Sequence, residues 1–582
     1  CRSAGPFLLL LGAALGAGRG AGPAAAQDNP CPPGTVPGTV RRNVGGGEGA
    51  DPAALFVPLK ELQAAAMGYV PGGVALELDG SDELAAENVS VSEAITLGFA
   101  DQLCKVIPRQ GETYVGLLSS FVMSPGNYSG YLYPVTPADL EEASENVTAS
   151  YETVVRSESF SSYRDRYPGT SMEAVVQQGP DQFQETLAAQ LDDGSHMWDW
   201  FGYTPTLLPF YSPKEMEGFL DMTQLIKNSS LDWSSLDSYI QESSTYGGQA
   251  WSLPLTFDLD TLFFRKDILD RHGLSPPATW RDLLELAERF NGTDSETGAG
   301  EGDLFGTCFY WQNAACTNST YATAHLFDIA APMLQAGGTA SGTIFEPDGL
   351  ELYLDSVAMI KAYEIYREIG QWGPPEYLGT DCDGTGKYFF REALRTFREG
   401  KCLFTVSQSA FPMVLYPLQN YTLPKHQKYT LKYTDKVICG DDGCPPFEGV
   451  LGSAPVPGST EVLDKATGRM EPCNSQRCPF AKVKETLNGP MWVNSAPYGF
   501  GNGRSVSISS ETTGPVPVFD FLAQFSTAQE FSTYALDMYT APAFPDRREA
   551  LGAYLVNSSD MTSGEWQMYE DALHDSLDFE NV

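Results

Sequence analysis

The chain has 582 residues, 42% of them hydrophobic and 12% aromatic, enough for two or three folding units with sizeable cores and too apolar for a disordered polymer. Its formal net charge of −39 argues against a nucleic-acid footprint, which needs a clustered basic face. The same charge argues against docking on anionic lipid.

The chain opens CRSAGPFLLLLGAALGAGRGAGPAAAQDNP, with Arg2, an apolar run from Phe7 to Ala17 and small residues at Ala24, Ala25 and Ala26. That is the pattern of a secretory signal cleaved after Ala26; the run is short and Gly-broken, unlike an uncut anchor. No later apolar stretch is long enough to span a bilayer. The expectation is a secreted or cell-surface protein with no direct membrane span after cleavage.

Beyond Cys1 there are ten cysteines, an even number that implies five disulfides in an exported chain. Spacing offers Cys308 with Cys316, Cys439 with Cys444 and Cys473 with Cys478, and at longer range Cys382 with Cys402 and Cys31 with Cys104. A zinc site is the competing use, but CxxC is absent and histidine occurs only at 196, 272, 325, 426 and 574. Asn88, Asn127, Asn146, Asn228, Asn291, Asn318, Asn420 and Asn557 lie in N-x-[ST], eight of the sixteen Asn. That excess implies glycosylation on a eukaryotic secretory route.

Residues 27–49 are Pro/Gly-rich and form a linker or lead-in. Between 55 and 150, helix-like ALFVPLKELQAAAMGYV alternates with strand-like GVALELD and TYVGLLSSFVM. From about 150 the alternation of helix and short strand becomes regular, which favours an α/β layer architecture. Phe183, Leu187 and Leu191 share a helical face with Gly194 as C-cap, and Met197 to Phe201 follow as a strand leading into a loop. Next come the strand-like WSLPL and TLFF, with TFDLD between them, and then a helix begun by a capping-box-like Thr279 and Asp282. Its Leu283, Leu284, Ala287 and Phe290 face a core.

Further on, Asp381, Asp383, Thr385, Gly386 and Glu392 partly match a calcium loop. Thr385 in place of Asp or Asn, Phe389 at the ninth position and the preceding Pro374-Pro375 favour a Gly-rich turn stapled by Cys382. No metal and no cofactor are expected. A helix through Phe397 ends at Gly400, and the strand from Cys402 to Val406 delivers Ser407, Gln408 and Ser409 to a loop. Finally GFGNGRS precedes an alternating strand and a helix carrying Phe519, Phe521, Leu522 and Phe525.

The succession YGGQAWSLP, LFFRKDIL, GLSPPATWRDLL, then FREGKCLFTV, then GVLGSAPVPG resembles the extracellular solute-binding proteins of the family that includes maltose-binding protein and other carbohydrate-binding components of ABC importers. The likeness runs from Tyr167 to Ala550. It implies a type II periplasmic-binding-protein-like fold: two α/β lobes, a hinge and a ligand cleft between the lobes. On this frame 1–26 is the signal, 27–150 a lead-in with an unplaced first strand, 151–260 lobe I, 261–485 lobe II, and 486–582 the return to lobe I with C-terminal helices.

The resemblance also implies ligand-binding positions. Asp258 sits where the chain crosses between lobes and an acid commonly faces the ligand; a carboxylate beside an aromatic ring suits a sugar. Alternatively, Asp258 and Asp260 break a strand or pair with Arg265 or Lys266. Asp199 matches a strand-end acid, with Trp200 and Phe201 entering the cleft. Ser407, Ser409 and Phe411 match a loop that in the family often carries Trp, absent here, so Phe411 is either platform or core. Trp311 offers a second platform, and Asn502 and Arg504 lie on the Gly-rich return to the cleft.

The implied function is capture of a small solute, a carbohydrate first, for transport or sensing, with a membrane receptor or transporter module as partner. A secreted glycosidase would also place paired acids near tryptophans. The chain has no separate acid pair with its own motif and neither HExxH nor GxSxG, so a non-enzymatic binding module is expected. A structural cell-surface protein that keeps the fold without a ligand is the third class; it would have a filled cleft.

Overall fold

The computed structural model describes residues 113–119, 155–156, 158–177, 198–203, 218–293, 304–309, 320–338, 345, 352–375, 389–409, 411–416, 446–497, 503–527 and 541–578. The chain divides into two units, Cys1–Ile107 and Pro108–Val582, and all described residues belong to the second. The signal, residues 27–112 of the lead-in, the helix expected over 183–194 and positions 381–388 of the partial calcium loop lie outside the described residues, and Glu392 of that loop falls in a helix, Phe389–Arg398.

Ten strands build the two larger sheets: β1 (Thr113–Ser119), β2 (Ser171–Gln177), β3 (Trp200–Tyr203), β4 (Leu253–Phe257), β5 (Asp260–Arg265), β6 (Phe305–Thr307), β7 (Cys402–Gln408), β8 (Leu451–Pro455), β9 (Arg504–Ile508) and β10 (Ala541–Pro542). The first sheet has six strands in the order β10-β4-β9-β3-β1-β2 and the second has four, β8-β5-β7-β6. Among the described residues the first strand is β1, parallel to both β2 and β3.

Among the described residues seven helices have ten residues or more: α1 (Trp280–Phe290), α2 (Thr320–Leu334), α3 (Val357–Gln371), α4 (Phe389–Arg398), α5 (Pro515–Thr527), α6 (Pro545–Ser558) and α7 (Ser563–Leu577). The capping box expected at α1 is present: Asp282 N donates to Thr279 Oγ1 at 3.1 Å and Thr279 N donates to Asp282 Oδ2 at 3.1 Å, so two otherwise orphaned backbone donors are satisfied. Leu283, Leu284, Ala287 and Phe290 are buried as expected. Among the described residues no helix is long and apolar enough to cross a membrane.

Strand β5, which belongs to the second sheet, stands between two hydrophobic cores. Leu262 and Phe264 point into the core of the second sheet, and Phe263 points into the core that underlies the first, as the period-2 alternation of a strand requires. Every β4 and β5 residue is buried, the polar Thr256, Asp260, Thr261 and Arg265 included. The first core continues past its own sheet through Phe397, Tyr416 and Phe447 to Trp566, Tyr569 and Leu573 of α7.

Cys308 is bonded to Cys402 and Cys473 to Cys478. The first bond overturns the pairings of Cys308 with Cys316 and of Cys382 with Cys402. The reason is topological: β6 and β7 run side by side and parallel, with Phe305 opposite Cys402, so two cysteines 94 residues apart stand 5.8 Å apart at their Cα atoms, normal disulfide reach. The other cysteine pairs lie outside the described residues.

Candidate functional site

The crossover between the sheets consists of two residues, Asp258 and Leu259, between the end of β4 and the start of β5. Ser409 follows the carboxyl end of β7, which lies beside β5 with Gln408 opposite Asp260. Arg504 opens β9 opposite Thr256 of β4, and its N–H donates to Thr256 Oγ1 at 3.0 Å. Three segments remote in sequence therefore meet at one end of both sheets.

Ser409 N donates to Asp258 Oδ1 at 2.9 Å and Ser409 Oγ donates to the same oxygen at 2.7 Å. Asp258 Oδ2 is buried and has no hydrogen-bond partner among the described residues. Burial pushes the Asp258 carboxyl up to about 7, opposed by the Ser409 hydrogen bonds, reinforced by the Asp260 charge and opposed again by the Arg504 guanidinium. Tyr569 of α7 donates its hydroxyl to Ser409 O at 2.7 Å, so the C-terminal helix buttresses the same turn.

Glycine places Arg504. A Cβ on Gly503 would stand 2.6 Å from Thr256 O, closer than real Cβ contacts come, so only glycine lets the return strand lie against the end of β4. The alternative ion pairs for the crossover acids do not form. Arg265 makes a bidentate pair with Asp267, 2.7 Å at each contact, and Lys266 pairs with Asp270.

Asp258, Ser409 and Arg504 are thus brought together, while other expected positions are not. Asp199 lies at the amino end of β3, not its carboxyl end, because the strand begins at Trp200. Its Oδ1 accepts from Thr512 Oγ1 at 2.6 Å and its carbonyl accepts from Ser509 N at 2.8 Å. Tyr203 is opposite Ser505 and Trp200 opposite Ile508, so Asp199 sits about 17 Å along the strand from the level of Arg504. The carboxyl end of β3, where open α/β sheets place ligand contacts, is Tyr203.

Trp200 and Phe201 belong to the sheet and not to a cleft. Both are fully buried; Trp200 lies against Gly116 and the Phe201 ring centroid is 5.7 Å from that of Phe219. Phe411 is core too, with ring centroids 4.9 Å from Phe263 and 5.6 Å from Phe397. Ser407 is buried opposite Thr261. Trp311 and Asn502 lie outside the described residues, as do Asn88, Asn127, Asn146, Asn318 and Asn420. Asn228 and Asn557 are exposed, and Asn291 is half-buried with its Oδ1 accepting from Gly306 N at 3.2 Å.

Residues 159–411, which contain the crossover and Ser409, match the profile of the bacterial extracellular solute-binding proteins. This stretch is of the extracellular solute-binding family. Proteins of this family work outside the cytoplasm, extracellularly or in the periplasm, in general with ABC-transporter membrane components. The solved structures similar to this chain include an ABC-transporter solute-binding protein from Agrobacterium vitis with bound D-mannitol, 13% identical over 80% of this chain and 84% of that one, TM-score 0.43. The sugar-binding protein MalE from Xanthomonas citri is 14% identical over 80% of this chain and 86% of that one, TM-score 0.45.

The sequence reading missed a second constellation beside the crossover. Asp260 of β5 and His325 and Asp328 of α2 are all buried, and their ligating atoms lie within 4.8 Å of one another. Burial pushes the Asp260 carboxyl well above the usual range, and the Asp328 charge adds to the rise. Burial likewise lowers His325, against the pull of Asp260. Histidine and aspartate three apart on one helix were visible in the sequence; Asp260, sixty-odd residues earlier, was not linked to them by any motif.

Proposed function

We propose that the chain captures a small polyhydroxylated solute, a carbohydrate first, between its two sheets, for transport or sensing. The observation that carries the reading is Asp258 Oδ2: a buried carboxylate oxygen at the crossover with no hydrogen-bond partner among the described residues. Its twin Oδ1 is already held by Ser409, so the carboxyl is oriented before a solute arrives. A buried acceptor left unpaired costs stability, and a solute hydroxyl would satisfy it. Arg504, 3% exposed, supplies a cationic neighbour. With Trp200, Phe201 and Phe411 in the core, recognition depends on hydrogen bonds more than on those three rings.

The same geometry supports binding without turnover. A glycosidase needs two carboxyls flanking one bond, whereas Asp258 engages Ser409 and Asp260 engages His325 and Asp328. Delivery through a signal peptide and a membrane receptor or transporter module that reads the closed form complete the proposal. Closure signals only as far as the solute prefers the closed form over the open one.

The test is a thermal-shift screen of the disulfide-intact protein against monosaccharides, oligosaccharides and polyols. A solute at about a hundred times its Kd adds nearly 3 kcal/mol of stability, and the shift is expected to shrink to half or less in Asp258→Asn. No shift anywhere on the panel sinks the proposal and moves weight to a structural role.

A further inference from the structure

The buried cluster on the other side of the crossover remains outside this solute reading. Asp260 is the first residue of β5, and His325 and Asp328 face it from α2. His325 and Asp328 are three residues apart, the spacing at which two side chains share one helical face; with one acid and one imidazole it is a chelating pair of the kind used in helical metal sites.

His325 Nδ1 lies 3.1 Å from Asp328 Oδ2 and 3.7 Å from Asp260 Oδ2. Two ligand atoms bound tetrahedrally to one zinc ion, at about 2.1 Å each, stand about 3.4 Å apart, so these separations bracket those of a shared ion. The three side chains are at most 4% exposed, and charge balance points the same way. Ionising both carboxyls beside a neutral imidazole would put two negative charges into a site closed to water, where like charges repel strongly. A divalent cation neutralises both at once and takes the imidazole as its third ligand. Gln408, opposite Asp260 on β7, projects from the same sheet face and can add an amide oxygen.

We propose that Asp260, His325 and Asp328 form a structural site for a divalent transition cation of the zinc class, which ties the first strand after the crossover to α2. The mixed oxygen and imidazole set favours zinc over calcium or magnesium, which prefer all-oxygen shells. The ion would hold one flank of the crossover rigid and would not touch the solute. The site stands whether or not the solute reading does.

The experiment is equilibrium dialysis of chelator-stripped full chain against zinc, with bound metal measured by atomic emission. About one zinc per chain is expected in the parent and at least a tenfold loss of affinity in both Asp328→Asn and His325→Gln. Zinc uptake undiminished in both variants assigns the ion elsewhere on the acidic surface and overturns the proposal; no uptake by the parent does so as well. A second readout needs no variant: cobalt added to the parent should give the visible absorption of a four- or five-coordinate site with nitrogen and oxygen ligands. A spectrum of the hexaaquo ion alone overturns the proposal. If the cluster is instead held together by shared protons, Asp328→Asn stabilises the metal-free protein and zinc leaves its unfolding temperature unchanged, a third overturning result.

Discussion

Ser409 donates both its backbone N–H, at 2.9 Å, and its hydroxyl, at 2.7 Å, to the same oxygen of Asp258, 151 residues earlier in the chain. The pair joins the end of β7 to the crossover and leaves Asp258 Oδ2 for another donor. In Asp258→Asn that acceptor loses its charge, and a hydrogen bond to a charged group contributes about 1.5–3 kcal/mol. Solute affinity is therefore expected to fall about 10- to 100-fold by isothermal titration. Ser409→Ala keeps the backbone donor and should cost less, about fivefold. Equal affinity in Asp258→Asn and parent would remove Asp258 from the site.

Gly116 in the middle of β1 has a packing reason to be glycine. A Cβ there would stand 2.1 Å from Trp200 Cε2, inside a fully buried ring on the neighbouring strand. Gly116→Ala must push that ring or separate β1 from β3, and overpacking of this kind costs about 1–3 kcal/mol. The urea midpoint should fall accordingly, and Trp200→Phe in the same chain should restore part of the loss. A Gly116→Ala variant as stable as the parent would show that the strands can part without cost.

That glycine also explains why β1 was hard to place. TYVGLLSSFVM has the composition of a strand, but a mid-strand glycine weakens the pattern, and its meaning lies in a tryptophan 84 residues later. The elements that were legible have local causes: β4 and β5 in their short apolar segments LPL and LFF, α1 in its capping box, β7 in the run after Gly400, whose φ is 79°. Asp199 failed because WDWFGY does not say where the strand starts, and a shift of a few residues moves an acid from the ligand end to the opposite end. The Cys308 bond and the Asp260, His325 and Asp328 cluster failed for one shared reason. Each depends on which strand or helix lies beside which, and spacing along the chain carries none of that.

The disulfide offers a direct check of strand order. A non-reducing peptide map should contain Cys308 linked to Cys402 and lack both Cys308 linked to Cys316 and Cys382 linked to Cys402. Both cysteines of the observed bond are fully buried, so mild reductant should spare it until the protein unfolds. The bond closes a loop of 94 residues, and replacing both cysteines by alanine should cost about 2–4 kcal/mol in chemical denaturation. A map showing Cys308 bonded to Cys316 would contradict the parallel pairing of β6 with β7.

Glu399, just past α4, should make stability fall in acid. Burial would raise its carboxyl, but hydrogen bonds and ion pairs with Lys401 and Arg395 outweigh that and hold it below the usual glutamate range. The distances are 2.8 Å to each. A lowered folded-state value means that the stabilisation is complete above the unfolded-state value, near 4.3, and is lost as the pH falls through the folded one. Glu399→Gln should therefore cost something at pH 7, under about 1 kcal/mol for so exposed a pair, and nothing at strongly acid pH. Denaturation curves at the two pH values test the sign, and a cost larger in acid would refute it.

Tyr569 tests whether the C-terminal helix supports the site or merely covers the core. Its hydroxyl donates to Ser409 O at 2.7 Å in a fully buried setting, and burial, with the Glu570 and Asp258 charges adding to it, keeps the phenol protonated, well above its ordinary value. Tyr569→Phe removes the donor and leaves a buried carbonyl unsatisfied, which costs about 1–3 kcal/mol. The ring keeps its packing against Trp566, 5.1 Å between centroids, so the fold should survive. Solute affinity should fall by less than in Ser409→Ala, because the two Ser409 donors to Asp258 remain in place. A larger fall in affinity than Ser409→Ala produces would mean that α7 sets the position of the turn, and that its contribution to binding exceeds a single hydrogen bond.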